Sequence, residues 1–279
     1  MATSLRAAQN YASGIVGVVS VADDGGSSGR LRRELGLPAP GDLRRCLSAL
    51  ASDDSLLARS LEYRFDRGPL DGHPLGNLLI AGLASAESDF QAAITEVARL
   101  IGAAGTIYPA TNESVTLEAA SDLGPIRGQV TIERATGIRD LHFDPSDPAS
   151  PEKAVDAIVD ADQVIIGPGS LFTSVLATAV VPDINAALHS TRAQRVFVAN
   201  VANDRAEARG FDLEAHLETL DDHGVPVDVV LAEQHDHGAN FATGRHAIVF
   251  AEMAAADGWG HRPELLGRAL SELHATTHQ

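Results

Sequence analysis

Cysteine, lysine and long apolar runs are the scarce features of this sequence. A single cysteine, Cys46, among 279 residues excludes an intrachain disulfide and a cysteine-rich zinc site. No apolar run approaches the roughly 20 residues that a membrane-spanning helix needs. Residues 1–13 lack the hydrophobic segment of a secretory signal. We therefore expect a cytoplasmic protein without a membrane span.

Positive charge is also scarce, and it comes almost entirely from arginine. The formal net charge is −17, and Lys153 is the only lysine. Because nucleic-acid binding needs broad positive surfaces, we expect no nucleic-acid partner. The arginines that cluster within residues 30–45 suit a small anionic ligand instead; they are Arg30, Arg32, Arg33, Arg44 and Arg45. Of these, we interpret Arg32 and Arg33 as solvated helix residues.

A buried strand followed by a glycine-rich turn occupies residues 15–33. Val and Ile dominate residues 15–21 without polar alternation, which is typical of a strand buried on both faces of a parallel sheet. Ligands bind at the carboxyl ends of such strands. Backbone N–H groups, serine hydroxyls and an arginine can hold phosphate oxygens there, and paired aspartates suit Mg²⁺ or a sugar hydroxyl. The predicted ligand-binding residues of this first turn are Asp23, Asp24, Gly25, Gly26, Ser27, Ser28 and Arg30. The alternative is a plain surface turn.

Two helices after this turn carry further candidate ligand-binding residues. A helix over residues 42–50 has Asp42 as its expected N-cap and places Arg44 beside the first turn if the two loops pack together. Its Cys46 is expected to be a buried small hydrophobe. A buried helix is expected over Leu75–Glu87, with Asn77 in its first turn. His73, in the loop before it, can contact an anion or act as an acid or base, although most loop histidines do neither.

A second strand, turn and helix unit begins at residue 163. The apolar strand over residues 163–167 is followed by a glycine-containing turn and a helix, an arrangement that presents free N–H groups and a positive dipole end to an anion. Its candidate ligand-binding residues are Gly167, Gly169, Ser170 and Thr173, and Asn200 at the end of the next strand can contact a base or ribose. A tight strand-to-helix turn without a ligand is the alternative. Two such turns at one sheet edge would form one cleft.

The remaining pattern predicts the architecture. Alternating strands and helices predict a doubly wound, mostly parallel, Rossmann-like α/β sheet in a single domain over residues 1–279. Short alternating runs at residues 106–110, 115–119, 126–133 and 138–143 predict antiparallel strands in a small β-rich insertion at about 105–145. Residues 203–210 are a possible lid over the cleft. The His-Asp-His run at residues 235–237 invites a metal site, but a solvated loop is the favoured interpretation.

Five segments resemble one bacterial protein family. They are DDGGSSGRLR (23–32), PAPGDLRRCLSAL (38–50), GHPLGNLLIAGL (72–83), GPGSLFTSVLATAVVPDI (167–184) and NVANDRAEARGF (200–211). Together they resemble the gluconeogenesis factors, which share a superfamily with the phospholactate transferases of deazaflavin cofactor biosynthesis. The resemblance implies binding of a UDP-sugar and control of carbon flux into cell-wall precursors and of cell shape.

The transferase side of the superfamily implies a different function. It would join a phospholactyl group to a deazaflavin alcohol using Mg²⁺, with Asp23 and Asp24 as metal ligands. The sequence shows no Ser-His-Asp order and no evident nucleophile, so it supports a nucleotide-phosphate cleft more firmly than a reaction. No other cofactor is implied, and a homo-oligomer is compatible with the sequence.

The resemblance does not extend to the family's first strand and glycine-rich loop. Members of the family begin with a strand and a Gly-Gly-Gly-Thr-Gly-like loop before the helix that matches residues 3–12 here, and this sequence starts at that helix. We expect that the chain lacks this strand, that its phosphate site is open on one side, and that it is less stable than a longer form.

Overall fold

A computed structural model describes residues 1–52, 55–202, 206–234 and 246–277. The strands in these ranges are β1 (Val16–Val19), β2 (Thr106–Pro109), β3 (Thr116–Ser121), β4 (Gly124–Arg127), β5 (Arg139–Asp144), β6 (Gln163–Ile166), β7 (Gln194–Val198), β8 (Val229–Glu233) and β9 (Ala247–Ala251). The α-helices are α1 (Ala2–Ala8), α2 (Gly26–Leu35), α3 (Gly41–Leu50), α4 (Leu56–Leu61), α5 (Leu75–Glu87), α6 (Phe90–Ile101), α7 (Gln129–Arg134), α8 (Glu152–Val159), α9 (Ala177–Ala179), α10 (Pro182–Ser190), α11 (Leu213–Asp222) and α12 (Pro263–Thr277). Short 3₁₀ helices at Gly68–Leu70 and Ala206–Ala208 and a π-helix at Leu171–Leu176 complete the set.

The strands form two parallel sheets and one antiparallel sheet. β1 pairs with β2 in parallel, and β6, β7, β8 and β9 form a parallel sheet in that order. Both faces of the four-stranded sheet are covered. Val196 and Val198 pack with α12, whereas Phe197 joins the main core on the opposite face. The predicted doubly wound, mostly parallel α/β fold is therefore confirmed.

The predicted β-rich insertion is smaller than the sequence pattern indicated. Residues 106–110 do not belong to it, because β2 pairs with β1, and the N–H of Thr106 donates to the Ile15 carbonyl (2.9 Å). The antiparallel sheet has the order β4-β3-β5. The predicted strand over residues 126–133 is also wrong beyond β4. Gly128 turns the chain at φ +94°, and α7 follows.

The predicted N-cap of α3 is displaced by two residues. Asp42 is not the N-cap: Pro40 occupies that position, and Asp42 lies in the first turn, where it pairs with Arg45 of the same helix (3.2 Å). The N-cap of α8 is Pro151, and the hydroxyl of Ser150 before it donates to the Ala110 carbonyl (2.8 Å).

Cys46 is a buried core residue, as predicted. Its side chain is 2% exposed in α3, and burial raises the pKa of its thiol to about 12. A thiol held neutral in this way packs as a small hydrophobe.

No single helix within the described residues is long and apolar enough to cross a membrane. The bent pair formed by Leu171–Ala179 and Pro182–Ser190, with 73° between them, reaches that length and composition only when taken together. In this structure Phe172, Leu176 and Ile184 of the pair are buried in the main core.

The two parallel sheets do not join. Within the described residues β1 pairs only with β2, and β6 pairs only with β7. Residues of both β1 and β6 line a cavity of about 550 Å³. The expectation that the chain lacks an initial strand stays a prediction.

Candidate ligand-binding site

The first glycine-rich turn leads directly into the N-terminus of α2. Gly25 is the N-cap and supplies no side-chain hydrogen bond to the helix, and Gly26 is exposed at φ +43°. Helices α3, α5 and α7 also lack a side-chain cap, whereas Ser55 of α4 and Asp89 of α6 each accept a backbone N–H of their own helix. The first N–H groups of a helix have no intrahelical partner and carry the positive end of its dipole. The N-cap of α2 therefore supplies no side-chain acceptor to these N–H groups.

The two aspartates of the turn shape the backbone around it. Asp23 Oδ1 accepts the N–H of Gly25 (2.9 Å), which fixes the turn before α2. Asp24 Oδ1 accepts the N–H of Val130 (3.0 Å) at the start of α7. This contact spans 106 positions of sequence and explains why residues 129–134 form a helix where alternation predicted a strand. Both side chains are half-buried, and each has a second carboxylate oxygen.

Ser27, His73 and Asn77 form a buried polar cluster behind the turn. Ser27 Oγ lies 2.7 Å from His73 Nδ1, and Asn77 Nδ2 donates to the same Oγ over 3.1 Å. All three residues are at most 6% exposed, and Asn77 Oδ1 has no hydrogen-bond partner. The Ser27 oxygen has two acceptor sites, so either Ser27 donates to an unprotonated Nδ1 or Nδ1–H donates to Ser27. Burial and then the charge of Arg30 lower the pKa of His73 and favour its neutral form.

The sequence singled out all three residues of this cluster but did not predict that they contact one another. In the structure the Ser27 hydroxyl, in the first turn of α2, is hydrogen-bonded to the imidazole of His73. In the sequence, the only sign of this cluster is a histidine four residues before an asparagine in the first turn of a predicted helix. Spacing alone could not show that both residues reach Ser27.

The arginines of residues 30–45 separate into different roles. Arg30 is half-buried and donates from Nη2 to the Asp71 carbonyl (2.6 Å), which holds it on the loop that carries His73. Arg44 is 3% exposed and pairs with Glu62 (3.2 Å), and burial lowers its pKa. Arg44 thus pairs with the residue that ends α4, and its stem packs against Gly76 in the first turn of α5.

Arg32 is not a solvated helix residue, and that interpretation was wrong. Its Nη1 donates to the carbonyls of Ala22 (3.0 Å) and Asp23 (3.3 Å), and its Nη2 contacts the Val115 carbonyl. Burial lowers its pKa. Arg32 therefore joins the first turn to the start of β3, whereas Arg33 is exposed as predicted.

The loop before α3 packs against α2, as the sequence analysis required for the two loops to act together. Gly41 lies so close to Ser28 that a Cβ there would stand 2.5 Å from Ser28 Oγ, and Ser28 is 3% exposed. Burial raises the pKa of Asp42, the nearby Arg45 lowers it, and Asp23 raises it further. The net shift is upward, so this carboxyl is harder to ionise than a free aspartate.

Hydrogen bonds that involve nearby side chains fix the second turn, residues 167–173. The Gly167 backbone turns at φ +83°, and its carbonyl accepts the Ser4 hydroxyl (2.6 Å). Ser170 Oγ accepts the N–H of Thr173 (3.1 Å) and also contacts Thr173 Oγ1 and Glu207 Oε1. Ser170 and Thr173 are buried, so the 3₁₀ helix Ala206–Ala208 covers this part of the turn.

Asn200 is engaged with the second turn itself. Its Oδ1 accepts the N–H of Gly169 (3.2 Å) and its Nδ2 donates to the carbonyl of the same residue (2.9 Å). Each polar atom of the amide makes one hydrogen bond to Gly169 and keeps a second donor or acceptor site. Asn200 reaches Gly169 because the two strands that precede them, β6 and β7, are neighbours.

Helix α7 connects the two turns. Near its start, the Val130 N–H donates to Asp24, and the rest of the helix contacts both the π-helix Leu171–Leu176 and the 3₁₀ helix Ala206–Ala208. The turns follow strands of two different parallel sheets, and a single cleft between them stays a prediction.

Other candidate features fall partly or wholly outside the described residues. Residues 203–205 of the predicted lid and the whole His-Asp-His run at residues 235–237 lie there. Among the residues that are described, no group of three or more His, Cys, Asp or Glu side chains is placed to hold a metal ion.

Comparisons with known proteins agree with the resemblance of the five segments. A gluconeogenesis factor of Halalkalibacterium halodurans is 39% identical over 233 residues, which cover 81% of this chain and 72% of that protein. A candidate gluconeogenesis factor of Mycobacterium tuberculosis H37Rv is 44% identical over 233 residues, 79% of this chain and 68% of that one. The crystal structure of a member of the UPF0052 family from Bacillus halodurans matches with a TM-score of 0.89 at 32% identity, covering 96% of this chain and 94% of that chain. The sequence model described as 2-phospho-L-lactate transferase CofD matches residues 1–253, and the chain therefore belongs to that family.

Proposed function

We propose that this chain is a gluconeogenesis factor that binds a nucleotide sugar, either UDP-glucose or UDP-N-acetylglucosamine. We propose further that this binding regulates carbon flux to cell-wall synthesis and cell shape. The observation that carries the binding proposal is the N-terminus of α2, whose N-cap Gly25 makes no side-chain hydrogen bond and whose first residue, Gly26, is exposed. The names of the relatives support the regulatory part.

The chemistry of a nucleotide sugar suits this helix end. Its diphosphate is an anion that can accept hydrogen bonds from the free N–H groups of α2. It can also lie near the Arg30 guanidinium, whose charge contributes to the lowered pKa of His73. The carboxylates of Asp23 and Asp24 can accept hydroxyl protons of the sugar. Both turns lie at carboxyl ends of parallel strands, where ligands of open α/β sheets bind.

Calorimetric titration tests the binding proposal. UDP-glucose and UDP-N-acetylglucosamine are titrated into the protein, and ADP-glucose and GDP-mannose serve as controls for the base. Saturable binding of either UDP-sugar, tighter than that of both controls, supports the proposal. If neither UDP-sugar gives a binding heat at millimolar concentration, the proposal is overturned.

Complementation tests the regulatory proposal. The chain is expressed in a Halalkalibacterium halodurans strain that lacks its own gluconeogenesis factor and is grown on a carbon source that enters below hexose phosphate. Restored growth and cell shape support regulation of carbon flux. If the chain binds a UDP-sugar in vitro but restores neither property, the binding proposal survives and the regulatory one fails.

A transferase is the second candidate function, and the paired carboxylates of the first turn favour it. Mg²⁺ is held in many phosphate sites by one or two carboxylates together with the phosphates of the ligand. Asp23 and Asp24 each use Oδ1 on a backbone N–H and have a second oxygen, so this donor pair fits Mg²⁺. Such an ion would neutralise phosphate charge while a phospholactyl group passes to a deazaflavin alcohol. Product formation detected by mass spectrometry tests this alternative.

A further inference from the structure

A short antiparallel hairpin over residues 63–75 carries His73. Its two arms meet at a bridge between Arg64 and Pro74. Beside that bridge, the Phe65 N–H donates to the His73 carbonyl (3.1 Å). Side chains of successive residues in paired strands point to opposite faces, so the residues that flank a bridge share the face opposite to it. Phe65 and His73 therefore lie on one face of the hairpin, opposite to Arg64.

Tyr63 and Phe65 form an aromatic pair on this face. Their ring centroids lie 5.2 Å apart and the ring planes meet at 76°, which is an edge-to-face contact. Tyr63 is 56% exposed and Phe65 is half-buried. An edge-to-face contact covers at most one face of the Tyr63 ring. Within the described residues, no other ring contact involves an exposed side chain; the remaining ones join Phe172, Phe211, His216 and His223.

Hydrogen bonds on both sides fix the backbone of Tyr63. Its N–H donates to the Ser60 carbonyl (3.0 Å), and its carbonyl accepts the Leu75 N–H (2.8 Å) from the other arm of the hairpin. A tyrosine ring on a backbone that is already ordered loses little conformational freedom when a ligand contacts it. The exposed ring of Tyr63 is therefore a rigid contact surface.

The aromatic pair adjoins the N-terminus of α2. Phe65 is the cross-strand neighbour of His73, and such neighbours have their Cβ atoms about 5 Å apart. His73 Nδ1 lies 2.7 Å from Ser27 Oγ in the first turn of α2. Burial lowers the pKa of His73, and the positive charges of Arg30 and Arg64 lower it further. Both guanidinium groups therefore lie within electrostatic reach of the surface between Tyr63 and the helix end.

We propose that Tyr63 forms a stacking subsite for the planar base of the nucleotide whose diphosphate lies at the N-terminus of α2. This inference rests on the proposed function and adds to it the residue that contacts the base. Aromatic side chains stack on every base, because every base has a π face. A nucleotide separates its base from its phosphates by one ribose, which suits an exposed ring that is joined to the helix end through Phe65 and His73. The Tyr63 ring contributes affinity for the base, whichever groups select uracil.

Calorimetric titration of the full chain compares ligands with and without a base. UDP-glucose and UDP-N-acetylglucosamine carry the base, and inorganic pyrophosphate lacks it. The variants are Tyr63→Leu, which keeps an apolar side chain and removes the ring, and Tyr63→Phe, which keeps the ring. Trp259→Leu is the matched control, because Trp259 is 67% exposed and lies beyond β9. The chemical shifts of the uracil ring protons of bound UDP-glucose are followed by NMR.

The proposal expects that Tyr63→Leu weakens UDP-sugar binding by about 5- to 150-fold, as loss of a base-stacking ring does, and leaves pyrophosphate binding unchanged. Tyr63→Phe and Trp259→Leu should keep the wild-type affinities. The upfield shift that a stacked ring causes in the uracil protons should disappear only in Tyr63→Leu. Equal UDP-sugar affinity of the wild type and Tyr63→Leu, or an equal loss of pyrophosphate affinity, would contradict the stacking subsite and leave the proposed function standing. If the wild type binds neither UDP-sugar, the proposed function and this inference both fail.

Discussion

Ser27 Oγ lies 2.7 Å from His73 Nδ1, and Asn77 Nδ2 donates to the same hydroxyl over 3.1 Å. Burial and the charge of Arg30 lower the pKa of His73 in the folded state. Protonation of His73 therefore opposes folding. The cluster stabilises the protein fully above the ordinary histidine pKa of about 6.5, and that stability is lost as the pH falls below it.

We predict that replacing His73 reduces the dependence of stability on pH. The free energy of unfolding is measured by urea denaturation from pH 5 to pH 8 for the wild type, His73→Gln and the surface variant His142→Gln. The wild type and His142→Gln should lose stability in parallel as the pH falls below about 6.5. His73→Gln should be less stable at pH 8 and should lose less on acidification. Parallel curves for all three proteins would show that His73 is not held neutral.

We predict that Asp24 stabilises the fold through α7. Asp24→Ala removes the acceptor of the Val130 N–H and should cost about 0.5–2 kcal/mol of unfolding free energy, as loss of a helix cap does. Asp24→Asn keeps a side-chain oxygen and should cost less. Thermal and urea denaturation compare the variants. Equal destabilisation by both changes would indicate that the carboxylate charge, and not the hydrogen bond, matters.

We predict that Asn200 has a structural role. Asn200→Ala leaves the N–H and C=O of Gly169 without their partner, and should cost about 1–3 kcal/mol because the turn is half-buried. UDP-sugar affinity should fall only as far as the turn loosens. A variant with unchanged stability and greatly reduced affinity would assign Asn200 to the ligand instead.

We predict no phospholactyl transfer to a deazaflavin acceptor. The similarity to proteins named gluconeogenesis factors motivates this expectation. The protein is incubated with activated phospholactate, the deazaflavin alcohol and Mg²⁺, and the product is sought by mass spectrometry. Asp23→Asn is the matched control, because it removes one carboxylate oxygen and keeps the other. Turnover by the wild type that Asp23→Asn abolishes would favour the transferase.

The sequence predicted the features that depend on local pattern. The apolar runs predicted the strands that became β1 and β6, and the helix over Leu75–Glu87 has the predicted bounds. The errors arise where a distant side chain decides the local structure. Asp24 stabilises the start of α7 from 106 positions away, and Arg32 is half-buried and contacts the Val115 carbonyl rather than being solvated. The spacing of apolar residues indicates which face of an element is buried, but it does not show which distant side chains contact that element.

The sequence indicated which residues to consider for the candidate site, but not how their side chains contact one another. Ser27, His73 and Asn77 were each singled out as ligand contacts, yet their shared hydrogen bonds depend on packing between α2 and α5. Arg44 was expected beside the first glycine-rich turn if the two loops pack together. Its pairing with Glu62 depends on where α4 lies, which the sequence pattern does not give.

The central claim is that α2 presents its N-terminus and Arg30 to the diphosphate of a UDP-sugar, and one titration tests it most directly. UDP-glucose and UDP-N-acetylglucosamine are titrated calorimetrically into the wild type, Arg30→Ala and Arg33→Ala, the last being an exposed arginine on the same helix. The account predicts that Arg30→Ala weakens binding by about 1.5–3 kcal/mol, as loss of a charge-assisted contact does, and that Arg33→Ala changes it little. Equal affinity of the wild type and Arg30→Ala, or equal losses in both variants, would contradict it.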